Sequence, residues 1–371
     1  MTRHPYPRNA VLENGPLPVE VVFHPAWWRR HAGISFDEDF FYHPARRVEA
    51  ERKMERVLYE RFGDLGLGDD RDKDLPVIGA VHNAAGYLLS EMLGCRVEYR
   101  EGDPPLVIPA QRKDLTVEMD AAFKGLPYRR LRGLMAGLKT KFGYLSGDVN
   151  WAGLLNLALD VRGQDIFLDM VDRPDEVRAY FRKIAGVIER FTGTIEAETG
   201  TTSISVNRTV RHIRGAVFLH SECALTMISA AHYEEFILPH DRAWSERHRP
   251  FGVHYCGSDP HRYAGAFAKI PHLDILDVGW GGDLRALRGR LPLTFLNIRL
   301  SPVEIIGQSA DDIRRAIITR VADSGNPYLT GVCCINMDDR VTDEKIRMIF
   351  ETVFELRRAC QSGRTDGRTV Y

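Results

Sequence analysis

The order of short apolar runs and longer amphipathic stretches limits the fold of this chain more than any other feature. In the second half, the runs at 253–255, Ile275–Val278, 294–298 and 328–332 have strand length and are rich in branched and aromatic residues. Between the last two lies a helical stretch near 311–321. Ser309 is its predicted N-cap, with Asp312 three residues on as the reciprocal partner. Thr342 opens a final helix with the stripe Ile346, Ile349, Phe350, Val353 and Phe354, and a further helix is expected from 231 to about 247. The first half adds strands at Val19–Phe23, 75–81, 96–99 and 203–206, and helices at 46–62, 84–93 and 175–195. Strands separated by helices favour a parallel sheet with crossover helices. About eight such units in 371 residues predict a (β/α)8 TIM barrel, with a doubly wound sheet as the alternative. The expected organisation is a single barrel domain over 1–371. Residues 1–74 then form an N-terminal extension and the first strand–helix unit.

Within that frame the tetrad His254-Tyr255-Cys256-Gly257, followed far downstream by Cys333, carries the clearest chemistry. Imidazole and thiolate are the ligands zinc prefers, and three protein ligands leave a fourth position open. On a strand, period two puts His254 and Cys256 on one face. The pair alone also fits a chance spacing, because a buried cysteine serves equally as a small apolar residue. Barrel active sites lie at the C-terminal ends of the strands. Cys256-Gly257, Cys333 and the glycine-rich Gly279-Trp280-Gly281-Gly282-Asp283 all sit where a predicted strand gives way to a loop. The glycines there would let that loop open for a bulky reactant.

Composition excludes several classes. Fifty basic and 51 acidic residues give a net charge of −1, without the basic excess of a nucleic-acid binder. No apolar run approaches the ~18 residues of a membrane span, and no secretory signal is visible after Met1. The six cysteines form no disulfide framework, so a reducing cytoplasm is the expected compartment, where thiolates persist as ligands.

Several segments match one known pattern. Pro25-Ala26-Trp27-Trp28-Arg29-Arg30-His31-Ala32-Gly33 looks like the signature P-V-W-x-M-R-Q-A-G-R. Residues 154–163, with Asp169 and Pro174-Asp175-Glu176-Val177, look like G-P-x-x-L-A-x-x-x-G and its following helix. Asn297-Ile298-Arg299-Leu300-Ser301-Pro302 looks like a degenerate G-N-x-D-P. On these the chain resembles the uroporphyrinogen decarboxylase superfamily over nearly its whole length. His254-Tyr255-Cys256-Gly257 matches the H-x-C-G of that superfamily's cobalamin-dependent branch, the methylcobalamin:coenzyme M type of methyltransferase. Gly331-Val332-Cys333-Cys334-Ile335 matches its P-G-C-G-I imperfectly, with Cys334 where the family has glycine. The decarboxylases carry an arginine where Ile34 stands, a histidine at the place of Cys333, and an aspartate where this chain offers Ala84-Ala85-Gly86. Porphyrinogen decarboxylation is therefore not expected.

The resemblance implies a zinc ion on His254, Cys256 and Cys333. It also implies methyl transfer between a corrinoid, carried on a separate corrinoid protein, and a small-molecule thiol or methylated substrate. Coordination favours the thiolate form of an incoming thiol. Glu222 is the candidate proton acceptor or fourth ligand, against a solvated or capping role. Trp27, Arg30, Asn207 and Tyr255 are candidate substrate-binding residues, against sealing or loop roles. Arg208 and Arg211 are further candidates for an anionic substrate end, Asp283 is functional or a turn residue, and Cys223 reads as core. The alternative function is a decarboxylase-like lyase acting on another small acid or tetrapyrrole.

Overall fold

The computed structural model describes residue 12 and residues 15–70, 78, 86–147, 149–201 and 211–362. Eight strands occur among them: β1 (Val19–Phe23), β2 (Arg96–Glu98), β3 (Leu106–Ile108), β4 (Phe218–Ser221), β5 (Phe251–His254), β6 (Ile275–Val278), β7 (Phe295–Leu300) and β8 (Thr330–Met337). The chain separates into two compact units. One comprises 1–23, 207–233 and 241–371, and the other 24–206 and 234–240.

The first unit is built on a six-stranded sheet in the order β1-β8-β7-β6-β5-β4, with every pairing parallel. Its strands are buried almost throughout, as expected of a parallel sheet covered on both faces. Helices cross between the strands as the periodicity predicts. Ala310–Asp323 begins at Ser309, whose side chain accepts from the Asp312 backbone while Asp312 reaches back, a complete capping box. Asp343–Gln361 follows Thr342 and buries Ile346, Ile349, Phe350 and Val353. Arg288 fastens the N-terminal side of the sheet. It donates to the carbonyls of Leu291, Thr294, Ser324 and Leu329 at 2.7–3.0 Å.

The second unit is mainly helical. Its longest helix, Pro174–Thr199, starts with proline and two acidic residues. It buries Val177, Phe181, Ile184, Ile188, Phe191 and Ile195, and stops at Gly200 in the left-handed region. Pro44–Phe62 extends the predicted 46–62 helix by two residues. The run at 96–99 forms β2, but it pairs antiparallel with β3 and lies outside the parallel sheet. The predicted strand at 203–206, and that at 75–81 apart from Ile78, lie outside the described residues, as does Asn207. Among the described residues the parallel sheet has six strands where eight were expected. No described helix is long and apolar enough to cross a membrane.

Candidate metal centre

Parallel pairing lines up one row of residues across the sheet. Ser221 pairs with His254, His254 with Asp277, Asp277 with Asn297, and Asn297 with Gly331. Paired residues point to the same face, and so do residues two further along each strand. That second row holds Arg299 and Cys333, which are register partners. Cys256 and Cys223 stand two residues beyond His254 and Ser221, where β5 and β4 have just ended. The sheet thereby delivers its reactive side chains to the C-terminal ends of consecutive strands.

Three of them meet. The Cys223 sulfur lies 3.0 Å from that of Cys256, and His254 Nε2 lies 2.9 Å from the Cys256 sulfur. The donor atoms of Cys223, His254 and Cys256 all lie within 4.8 Å of one another. Metal–sulfur and metal–nitrogen bonds of about 2.3 and 2.0 Å require donors this close together. His254 Nδ1 is hydrogen-bonded to the Asp277 carboxylate, which leaves Nε2 facing the sulfurs. A carboxylate behind a histidine in this way fixes the ring and raises its basicity as a ligand. Two sulfurs and one oriented imidazole therefore suit a zinc-like ion.

The electrostatics agree with that chemistry. A hydrogen bond from Cys223 holds the Cys256 thiol well below its ordinary pKa against the opposing effect of burial, with His254 and Arg299 adding to the depression. Cys223, as the donor, is pushed up by that bond and by burial. Burial alone would lower His254, but the charges of Cys256 and Asp277 outweigh it and raise the group to about 9. These directions favour a thiolate at Cys256, an imidazolium at His254 and a thiol at Cys223 before a metal binds.

Behind these groups Asp277 also accepts from Asn297 Nδ2 at 3.1 Å, and the same amide lies 3.2 Å from the Cys333 sulfur. Burial and Asp277 push the Cys333 thiol up. Arg299 Nη1 donates to the Cys256 sulfur at 3.1 Å, and its guanidinium lies 5.3 Å from the Trp280 ring centroid. Two glycines make this packing possible. A Cβ on Gly331 would stand 2.9 Å from Asn297 Oδ1 and 2.6 Å from the Phe295 ring. A Cβ on Gly279 would stand 1.5 Å from the Gly257 carbonyl oxygen. Close backbone approach, rather than the opening freedom expected from sequence, dictates glycine at 279.

Glu222, just past β4, is fully buried. His220 Nε2 lies 2.9 Å from Glu222 Oε1 and His220 Nδ1 lies 2.6 Å from Asp241 Oδ1, while Tyr233 donates to Asp241 at 2.5 Å. Burial disfavours the charged imidazole, but the two carboxylates raise His220 to about 9.

Of the residues singled out from sequence, His254 and Cys256 stand together, and Cys333 stands behind them against Asn297 and Asp277. Cys334 turns the other way and is buried, as strand alternation requires. Tyr255 is buried, donates to Asp259 and packs against Tyr263 at 5.7 Å. In the other unit Trp27 is buried against Trp28 and His31 beneath Arg61, and Arg30 is exposed. Asp283 caps the helix Leu284–Arg290 through the backbone of Ala286. Cys223, read from sequence as core, has its sulfur in the cluster. Asp277 and Arg299 carried no motif that marked them as site residues.

No protein-family model matches the sequence, and no curated protein matches it. Solved structures do. A methyltransferase from Methanosarcina mazei superposes with a TM-score of 0.62 at 13% identity, over 92% of this chain and 94% of that one. The chain shares that fold. A B12-independent methionine synthase from Shewanella sp. W3-18-1, in complex with selenomethionine, gives 0.49 at 9% identity over 94% and 99% of the two chains.

Proposed function

We propose that this chain is a zinc-dependent methyltransferase that moves a methyl group between a corrinoid and a thiol. The observation that carries the reading is the convergence of Cys223, His254 and Cys256, with Asp277 orienting the histidine. The methyltransferase whose fold the chain shares, and the H-x-C-G match at His254–Gly257, support it. The proposed fold is a (β/α)8 barrel in a single domain, with this site at the C-terminal ends of its strands.

Zinc bound here would favour the thiolate form of an incoming thiol and hold its sulfur in place. His254 and Cys256 are two of its ligands. The resemblance assigns the third to Cys333, and the geometry favours Cys223. Two thiolates balance the ion's charge, so the substrate sulfur keeps the electron density it needs to attack carbon. Glu222, in contact with His220, is the acceptor for the proton released by the thiol. In the transfer a sulfur–carbon bond forms and the carbon–cobalt bond breaks, its electron pair staying with cobalt. The corrinoid would arrive on a separate small protein, with Trp27, Arg30, Asn207 and Tyr255 as candidate contacts to substrate.

The test is anaerobic. Zinc-loaded protein, methylcobalamin and a panel of thiols are mixed, and the cobalamin spectrum is followed. Wild type demethylates the cofactor with at least one thiol, and His254→Ala does not. Failure across the panel, with zinc present and corrinoid supplied both free and protein-bound, rejects methyl transfer.

A further inference from the structure

Arg299 is a charged side chain only 3% exposed, and its hydrogen bonds do not account for it. Among the described residues, Nη1 on the Cys256 sulfur is its one hydrogen-bond contact, and Nε is buried with no partner. No carboxylate among them lies within ion-pair distance of it. Asp277, whose charge acts on it from a distance, is itself hydrogen-bonded to His254 and Asn297. Trp280 contributes one aromatic face. A buried guanidinium needs a counter-charge, and a buried N–H without a partner is costly.

The Nη1 contact to the Cys256 sulfur leaves the Nε–Nη2 edge of this buried cation without a partner among the described residues. That edge presents two parallel donors, the geometry that matches a carboxylate. We infer that Arg299 and Trp280 form a subsite beside the metal for a carboxylate on the thiol substrate. This assignment rests on the proposed metal-dependent use of a thiol. It narrows the substrate class to small thiols in which a short linker separates sulfur from a carboxylate.

Binding of three probes to zinc-loaded protein tests the subsite by calorimetry: 3-mercaptopropionate, its neutral methyl ester, and propionate, which lacks sulfur. Wild type is expected to bind the mercapto acid roughly tenfold or more tightly than the ester, the advantage of a charge-assisted bidentate pair. Arg299→Gln should reduce that ratio towards one, and Arg299→Lys, which keeps charge but not the fork, should retain part of it. Melting curves and zinc content show whether each variant is folded and loaded. Equal binding of acid and ester by wild type overturns the subsite, as does a preference that survives in folded Arg299→Gln. Binding of none of the probes overturns it too. If the ester binds with no preference for the acid, the subsite fails and thiol capture by the metal stands. If propionate binding depends on Arg299 while neither thiol gains from zinc, the subsite stands and the thiol reading fails.

Discussion

The Cys223 sulfur lies 3.0 Å from the Cys256 sulfur, in a cluster with His254 whose donor atoms all lie within 4.8 Å of one another. The contact joins two loops that follow neighbouring parallel strands, so it is a product of the register between Ser221 and His254. It sets up a direct competition with Cys333 for the third ligand position. Elemental analysis of purified protein should find one zinc per chain, largely lost in Cys256→Ser. Cys223→Ser should lose most of the metal, and Cys333→Ser should keep most of it. The reverse order would return the third ligand to Cys333 and make Cys223 a packing residue.

Proton release should accompany metal binding. Cys256 is already a thiolate in the metal-free cluster, whereas His254, raised to about 9, and Cys223, also raised, must each give up a proton. The sign follows directly: protons compete with the metal at His254 below about pH 9 and at Cys223 to higher pH still, so affinity falls as pH falls. Zinc titrations in buffers of different ionisation enthalpy should report about two protons released near neutral pH. An affinity independent of pH between 6 and 9 would contradict the protonation states derived for the cluster.

The sequence made the secondary structure legible where local rules decide it. Ser309 and Asp312 mark their helix because a capping box is a contact between residues three apart. The β8 strand shows the limit. Tyr328 and Leu329 read as the start of a strand, but Asn326 and Pro327 set a helical turn first, and the strand runs on to Met337. Cys333 therefore sits inside β8 rather than at its end. The β4 strand went unseen because His220 and Ser221 are polar yet buried. Without it nothing could align Cys223 with Cys256. Asp277 and Arg299 are legible only through pairings between strands some 20 residues or more apart, and register is a property of packing, not of spacing.

The His220 triad should make the stability of the fold depend on pH. Its imidazole titrates at about 9 in the folded protein, against about 6.5 in an unfolded chain. A raised folded value means stability fully present below pH 6.5 and lost as pH rises through 9. The shift corresponds to roughly 3 kcal/mol, an order of magnitude for a buried, paired group. Urea denaturation of zinc-loaded protein at pH 6 and pH 9.5 should show a decline of that order. His220→Asn should be less stable at pH 6 and show a much shallower decline. An equal decline in both proteins would place the titrating group elsewhere.

Gly279 gives the most local test of how the site is held. Its Cα faces the Gly257 carbonyl so closely that an added methyl would stand 1.5 Å from that oxygen, and the obstacle is backbone, which cannot rotate away. Gly257 follows Cys256 directly, so the displacement required by Gly279→Ala must move the ligand loop or the loop carrying Trp280. A metal site tolerates little of either, because ligand distances are fixed within a few tenths of an ångström. The sheet beneath tolerates more, and overpacking of this kind costs roughly 1–3 kcal/mol. Gly279→Ala is therefore expected to fold, to melt at lower temperature, and to lose zinc affinity out of proportion to that loss. Gly265→Ala, in the helix Ala264–Phe267 with nothing within 4 Å of the added methyl, is the matched control and should retain both metal and stability. If Gly279→Ala binds zinc as wild type does, the two loops are not locked against each other and Cys256 is positioned by β5 alone.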